Sequence, residues 1–122
     1  MRHLLFALVA TALLSTGGCY YDNEETLYPN SFCDTANVTY SGTIEPLVQS
    51  KCATPGCHVP GGDGAGDFTT YAGLVSQIVN DGPLLASIRW SPGATVMPAS
   101  GKLPSCDIKK FEIWIAAGYP NN

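Results

Sequence analysis

Five cysteines in a chain of 122 residues limit what this protein can fold into more than any other feature of its sequence. A domain of this size buries only about 60–65 % of the surface its unfolded chain exposes, so covalent constraints weigh heavily. So many cysteines in so short a chain point to an oxidising compartment or to a covalently held cofactor. Apolar residues make up 45 % and charged residues 13 %, which separates the chain from disordered ones. The 13 Gly and 9 Pro predict many turns. The formal net charge of −4 leaves no basic patch, which argues against nucleic acid as a partner.

The N-terminus reads as a leader over residues 1–18. Met1-Arg2-His3 is a short basic start, Leu4 to Leu14 is an apolar run, and Ser15-Thr16-Gly17-Gly18 is a small-residue end. These are the parts of a secretory signal peptide, and the apolar run is too short for a stable membrane span. Gly18-Cys19 resembles the lipobox of bacterial lipoproteins, with Thr16 where that box prefers Leu. The resemblance implies that Cys19 becomes the lipidated first residue, holding the protein to a bacterial membrane on its periplasmic or outer side. The alternative is ordinary secretion with cleavage nearby. Tyr20 to Ser31 is polar and acidic, so residues 19–31 are expected to form a lipidated tether. Loss of residues 1–18 removes Arg2, His3 and Met1. One His (His58), one Met (Met97) and all five Cys remain.

The folded domain is expected over residues 32–122, as a mostly α domain with long loops. Ile44, Leu47 and Val48 recur at helical spacing and predict a helix from Thr43 to Lys51, with Pro46 in its first turn. Leu74, Val75 and Ile78 predict a second helix over Tyr71–Val79, ended by Asn80-Asp81-Gly82. A short third helix is expected over Pro83–Trp90. A last one runs from Pro104 or Ser105 to Ala117, with Ile108, Phe111 and Ile115 as its buried stripe, Trp114 flanking and Gly118 as C-cap. Asn37–Tyr40 and Gly42-Thr43-Ile44 are the only strand-like fragments.

The segment Cys52-Ala-Thr-Pro-Gly-Cys57-His58 carries the chemistry. Two readings fit these seven residues. Two thiols followed at once by His is the pattern that attaches c-type haem, with thioethers to the two vinyl groups and the imidazole beneath the iron. A Cys52–Cys57 disulfide loop with His58 on the surface fits as well. A zinc site fits less well, because a convincing fourth ligand is lacking. Met97 lies 39 residues beyond His58, in a Pro/Gly/Ser-rich loop followed by an amphipathic helix. A methionine so placed suits the second axial position of a His/Met haem; as a core filler it would sit more naturally on a helix.

With these residues in view, the domain resembles a class I cytochrome c, in particular the small lipoprotein-borne cytochrome c-like domains of Bacteroidetes-type bacteria. The likeness covers about 80 residues. It takes in Ile44, Pro46 and Leu47, then Cys52, Cys57 and His58, and the Gly-rich loop ending Asp67-Phe68-Thr69-Thr70-Tyr71. Beyond these it includes Met97-Pro98, Gly101, Leu103, Ile108 and the closing Trp114-Ile115…Gly118…Pro120-Asn121-Asn122. The resemblance implies one covalent haem c, with Cys52 and Cys57 as thioether attachments, His58 as proximal ligand and Met97 as distal ligand. Four residues stand between the two Cys where the main pattern has two, so Pro55-Gly56 must be absorbed as a bulge. With that pair assigned, Cys33 and Cys106 remain, and a Cys33–Cys106 disulfide is the simplest use of them in an exported chain.

The expected function is therefore outer-sphere electron transfer at the cell envelope, not enzymatic catalysis. Redox proteins bearing a basic docking patch are the expected partners. The rival is a haem-free, disulfide-stapled surface binding module, which needs Cys52–Cys57 oxidised and Met97 dispensable. An open haem site of peroxidase type would need a second His that the chain lacks after its leader. Asp63 and Asp67 lack the spacing of a calcium loop, and the Gly-rich loop lacks the Lys of a phosphate cradle. Tyr71, Trp90 and Trp114 fit either as haem neighbours or as core aromatics.

Overall fold

The computed structural model describes residues 33–79 and 83–122. The expected leader (1–18), the tether with Cys19 (19–31), Phe32 and the helix-ending Asn80-Asp81-Gly82 lie outside the described residues. Helix is the only regular secondary structure among those described, so the protein is mostly α. None of these helices is long and apolar enough to cross a membrane.

The first element differs from expectation. Residues 37–44 form no strand, and the chain coils at Tyr40–Ile44 into a π-helical turn that runs into α1 (Glu45–Lys51). Its wide turn shows in the Ile44 N–H, which reaches back five residues to the Thr39 carbonyl at 3.1 Å. Thr39 Oγ1 accepts from the Gly42 N–H and so caps the turn. The β-branched residues that gave the segment its strand-like look are overruled by a partner far along the chain. Asn122 accepts from the Tyr40 N–H through its side chain and from the Ser41 N–H through its carbonyl, both at 2.9 Å.

The helix α2 spans Tyr71–Val79 as its spacing predicts, with Leu74 wholly buried and Val75 and Ile78 packed at the edge of the core. Thr70 Oγ1 accepts from the Gly73 N–H at its start. The short α3 (Leu84–Arg89) buries Leu84, Ser87 and Ile88. The longest helix, α4 (Ser105–Ala116), packs against the π turn and α3. Its stripe is Ile108, Phe111 and Trp114, with Ile115 only half-buried, so Trp114 takes the central place expected of Ile115. The helix closes in a Schellman arrangement: Gly118, at φ +85°, donates to the Ile115 carbonyl and Tyr119 to that of Trp114.

Trp114 decides how α4 is rotated. Its indole N–H donates to the Pro120 carbonyl at 2.9 Å, so its one polar atom is satisfied although the residue has no exposed surface. Tyr40, Tyr71 and Tyr119 surround it with ring centroids 5.8, 6.5 and 6.4 Å away. The Tyr71 hydroxyl donates to the Tyr119 carbonyl at 2.7 Å, tying α2 to the C-terminal segment. Cys33 and Cys106 are disulfide-bonded, which fastens the start of the domain to the first turn of α4.

Candidate functional site

Two loops carry the residues singled out in the sequence. The first starts where α1 ends. Cys52 and Ala53 both donate to the Val48 carbonyl at 2.8 Å and terminate the helix. Thr54-Pro55-Gly56-Cys57 then reverses the chain, with the Cys57 N–H donating to the Thr54 carbonyl at 2.9 Å. Pro at the second position and Gly at the third, with φ +81°, are the signature of a type II turn. The bulge expected of Pro55-Gly56 is this turn. The chain returns far enough for the His58 N–H to donate to the Cys52 carbonyl at 3.2 Å.

The Gly-rich loop wraps that turn. Gly64 donates to the Cys57 carbonyl, Asp63 to that of Gly56, and Phe68 to that of His58. A Cβ at Gly62 would collide with the Cys57 carbonyl oxygen, and one at Gly64 would stand 2.8 Å from His58 Nδ1. The loop therefore works as a backbone collar, close enough only because side chains are missing at these two points.

Within the collar His58 has one orientation. Its Nδ1 lies 2.8 Å from the Ala65 carbonyl. A carbonyl only accepts, so Nδ1 carries the proton and Nε2 of the neutral ring presents a lone pair. The ring stacks on Phe68, centroids 4.1 Å apart and planes 3° from parallel. Phe68 belongs to the buried core, so the stacking references the imidazole to the interior. No described residue hydrogen-bonds to Nε2.

Cys52 and Cys57 are not bonded to each other, although Cys33 and Cys106 are. Cys57 is exposed and Cys52 half-buried. Burial, then the neighbouring Cys57, push the Cys52 thiol up to about 11, so it is protonated at neutral pH.

The second loop carries Met97, which is half-buried and precedes a cis peptide bond to Pro98. Its backbone is held from both sides by the end of α3. The Met97 N–H donates to the Ser87 carbonyl at 3.1 Å, and the Trp90 indole N–H donates to the Met97 carbonyl at 3.1 Å. Trp90 itself is the C-cap of α3 at φ +59°, and 40 % of its surface is exposed, as is 44 % of Val96.

The structure thus brings Cys52, Cys57 and His58 together in one turn and holds Met97 on a separate anchor. No hydrogen bond between described residues joins the two loops. Of the aromatics, Trp114 is core, Tyr71 lines the core, and Trp90 belongs to the Met97 loop. Four contributors were not legible beforehand: Ala65, Ser87, Phe68 as stacking partner, and the collar glycines. Two act through backbone carbonyls, which leave no trace in residue type; the spacing Gly-Gly-Asp-Gly-Ala-Gly was the available signal. Among the described residues no three of His, Cys, Asp and Glu converge as metal ligands. Protein-family models, curated proteins and solved structures contain no match to this chain.

Proposed function

We propose that this chain is an electron-transfer protein of the cell envelope, anchored through a lipid on Cys19 and carrying one covalent haem c ligated by His58 and Met97. The observation that carries the reading is His58. Its Nδ1–H is committed to the Ala65 carbonyl and its Nε2 is unpartnered, beside two unoxidised thiols in a fold whose other two described cysteines are paired. Donation from the second ring nitrogen to a backbone carbonyl is how proteins orient a metal-ligating imidazole and raise its basicity. The donor set fits the group. Among the described residues no cluster of three protein ligands forms, so His58 would suit a metal held largely by its own macrocycle, as in haem.

When bound, the haem supplies a one-electron iron couple, used by outer-sphere transfer with no substrate bond made or broken. The chain's own residues do the rest. Cys52 and Cys57 provide the two thioether sulfurs, and the type II turn between them sets their separation. The collar fixes the imidazole, and α3 fixes the Met97 backbone. A thioether ligand favours Fe(II) and raises the potential relative to a second imidazole. The haem-free binding module would instead need Cys52 and Cys57 oxidised together.

The test is visible absorption of the full chain made in a host with c-type haem maturation machinery, followed by haem staining after denaturation. Covalent stain with a sharp reduced α band is expected, lost in Cys52→Ser/Cys57→Ser. Met97→Ala should keep the stain and lose the weak Fe–S charge-transfer band of the oxidised form. A colourless, folded protein without free thiols would instead establish the stapled binding module.

A further inference from the structure

We propose that Trp90 is the positioning residue for the Met97 ligand, a role that rests on the haem reading above. Trp90 lies in a left-handed conformation, φ +59°, which a residue with a Cβ adopts at a cost. Glycine is the usual residue at such a helix end. The indole is also 40 % exposed, unusual for the largest side chain in a domain with a small core. Neither feature serves packing, and Trp90 is absent from the core cluster.

What the conformation does achieve is local. It turns the indole back over the loop that α3 releases, so that Nε1 donates to the Met97 carbonyl. The helix already holds the same residue from its other side, through the Ser87 carbonyl and the Met97 N–H. Ser87 is buried, so that acceptor is part of the fixed interior. One residue of an eleven-residue loop is thereby clamped at both its backbone polar groups, and it is the loop's only thioether. A clamp on the backbone leaves the Met97 side chain its rotamers while fixing the Cα from which it swings. An axial methionine is a weak ligand, retained only if its loop pays little entropy to present it.

Two substitutions in the full chain separate positioning from packing. Trp90→Phe keeps an aromatic ring and the left-handed backbone but removes the donor. Trp90→Gly removes the ring and suits the backbone conformation. The first readout needs no haem: amide exchange of Met97 in haem-free protein should be about threefold to tenfold faster in Trp90→Phe, the worth of one neutral hydrogen bond. In haem-stained protein both variants should weaken the Fe–S charge-transfer band and shift the reduction potential. The thermal midpoint of Trp90→Gly should hold or rise, which a merely structural tryptophan would not permit. Stained variants with unchanged band, potential and Met97 exchange would overturn the proposal. A colourless wild-type protein would overturn the haem reading and the ligand role with it.

Discussion

Replacing both Cys33 and Cys106 with alanine isolates what the disulfide contributes. The bond joins residues 73 apart, so it closes a loop that takes in nearly the whole domain. In the chain-entropy treatment, a loop of that size removes about 15 cal/mol/K from the unfolded chain, or about 4.5 kcal/mol at 25 °C. A domain of roughly 90 residues has a total stability of about 5–13 kcal/mol, so the staple supplies a large share. For this size each kcal/mol moves the thermal midpoint by about 4–8 °C, which predicts a fall of roughly 18–36 °C. Both cysteines are half-buried and Cys106 lies in the first turn of α4, so alanine there leaves helix and core nearly intact. The assay is urea unfolding followed by helical circular dichroism, on haem-free protein so that cofactor binding adds nothing. The midpoint should drop sharply, with the slope in denaturant slightly increased because the unstapled unfolded chain is less constrained and exposes more surface. A loss under about 1 kcal/mol would refute the reasoning, because it would mean that Tyr40, Ser41 and Asn122 already hold the two ends together without the bond.

In haem-free protein at pH 8, iodoacetamide should modify Cys57 well before Cys52, whose thiol at about 11 is ionised in only about one molecule per thousand; mass mapping of the alkylated peptides reads the order, and haem-loaded protein should take up none. Gly64→Ala places a methyl 2.8 Å from His58 Nδ1, so it should cost about 1–3 kcal/mol in thermal unfolding and lower haem occupancy, whereas Gly93→Ala, strained only by its own φ of +84°, should lower the thermal midpoint and leave haem occupancy unchanged. Glu112 is held below its ordinary value of 4.5 chiefly by its hydrogen bond from Arg89, so its contribution is complete above that value and is lost as pH falls through the lowered one. Being a surface pair, it is worth about 0.2–1 kcal/mol, and Glu112→Gln should flatten that acid limb while leaving stability at pH 2 unchanged.

Local signals made α2 and α4 legible. Helical spacing and the Gly118 stop are written within a few residues of the elements they define. The π turn was not legible, because its first two N–H groups are satisfied by Asn122, 82 and 81 positions away, and the β-branched residues around Thr39 argued locally for something else. The exchange of Trp114 for Ile115 in the buried stripe has the same origin. Both lie within one turn of Phe111, and only the ring of tyrosines and the Pro120 carbonyl select between them. At the site, the candidate residues could be read off directly, since His and Met are scarce and two of the cysteines stand beside His58. The groups that orient them could not, since Ala65 and Ser87 act through carbonyls that every residue possesses.

That division explains how so small a protein can hold a defined site. His58 is kept in place almost entirely by backbone hydrogen bonds of the turn and collar, plus one stacked ring, and Met97 by two hydrogen bonds from the end of α3. Neither residue belongs to the buried cluster, whose members are drawn from the π turn, the helices, Phe68 and Leu103. Side chains in the core are thus free to be chosen for packing, and the loops for orientation. Each loop nevertheless meets the interior: the first through Cys52, Ala53 and Phe68 under the imidazole, the second through the buried Ser87 of α3, whose carbonyl accepts from the Met97 N–H. A substitution that weakens the Phe68–His58 stack or the Ser87–Met97 hydrogen bond should disturb the site first, because those contacts orient His58 and Met97 directly. A substitution at Trp114 should do the reverse, loosening the helices while the Cys52–His58 turn, closed by its own hydrogen bonds, keeps its shape.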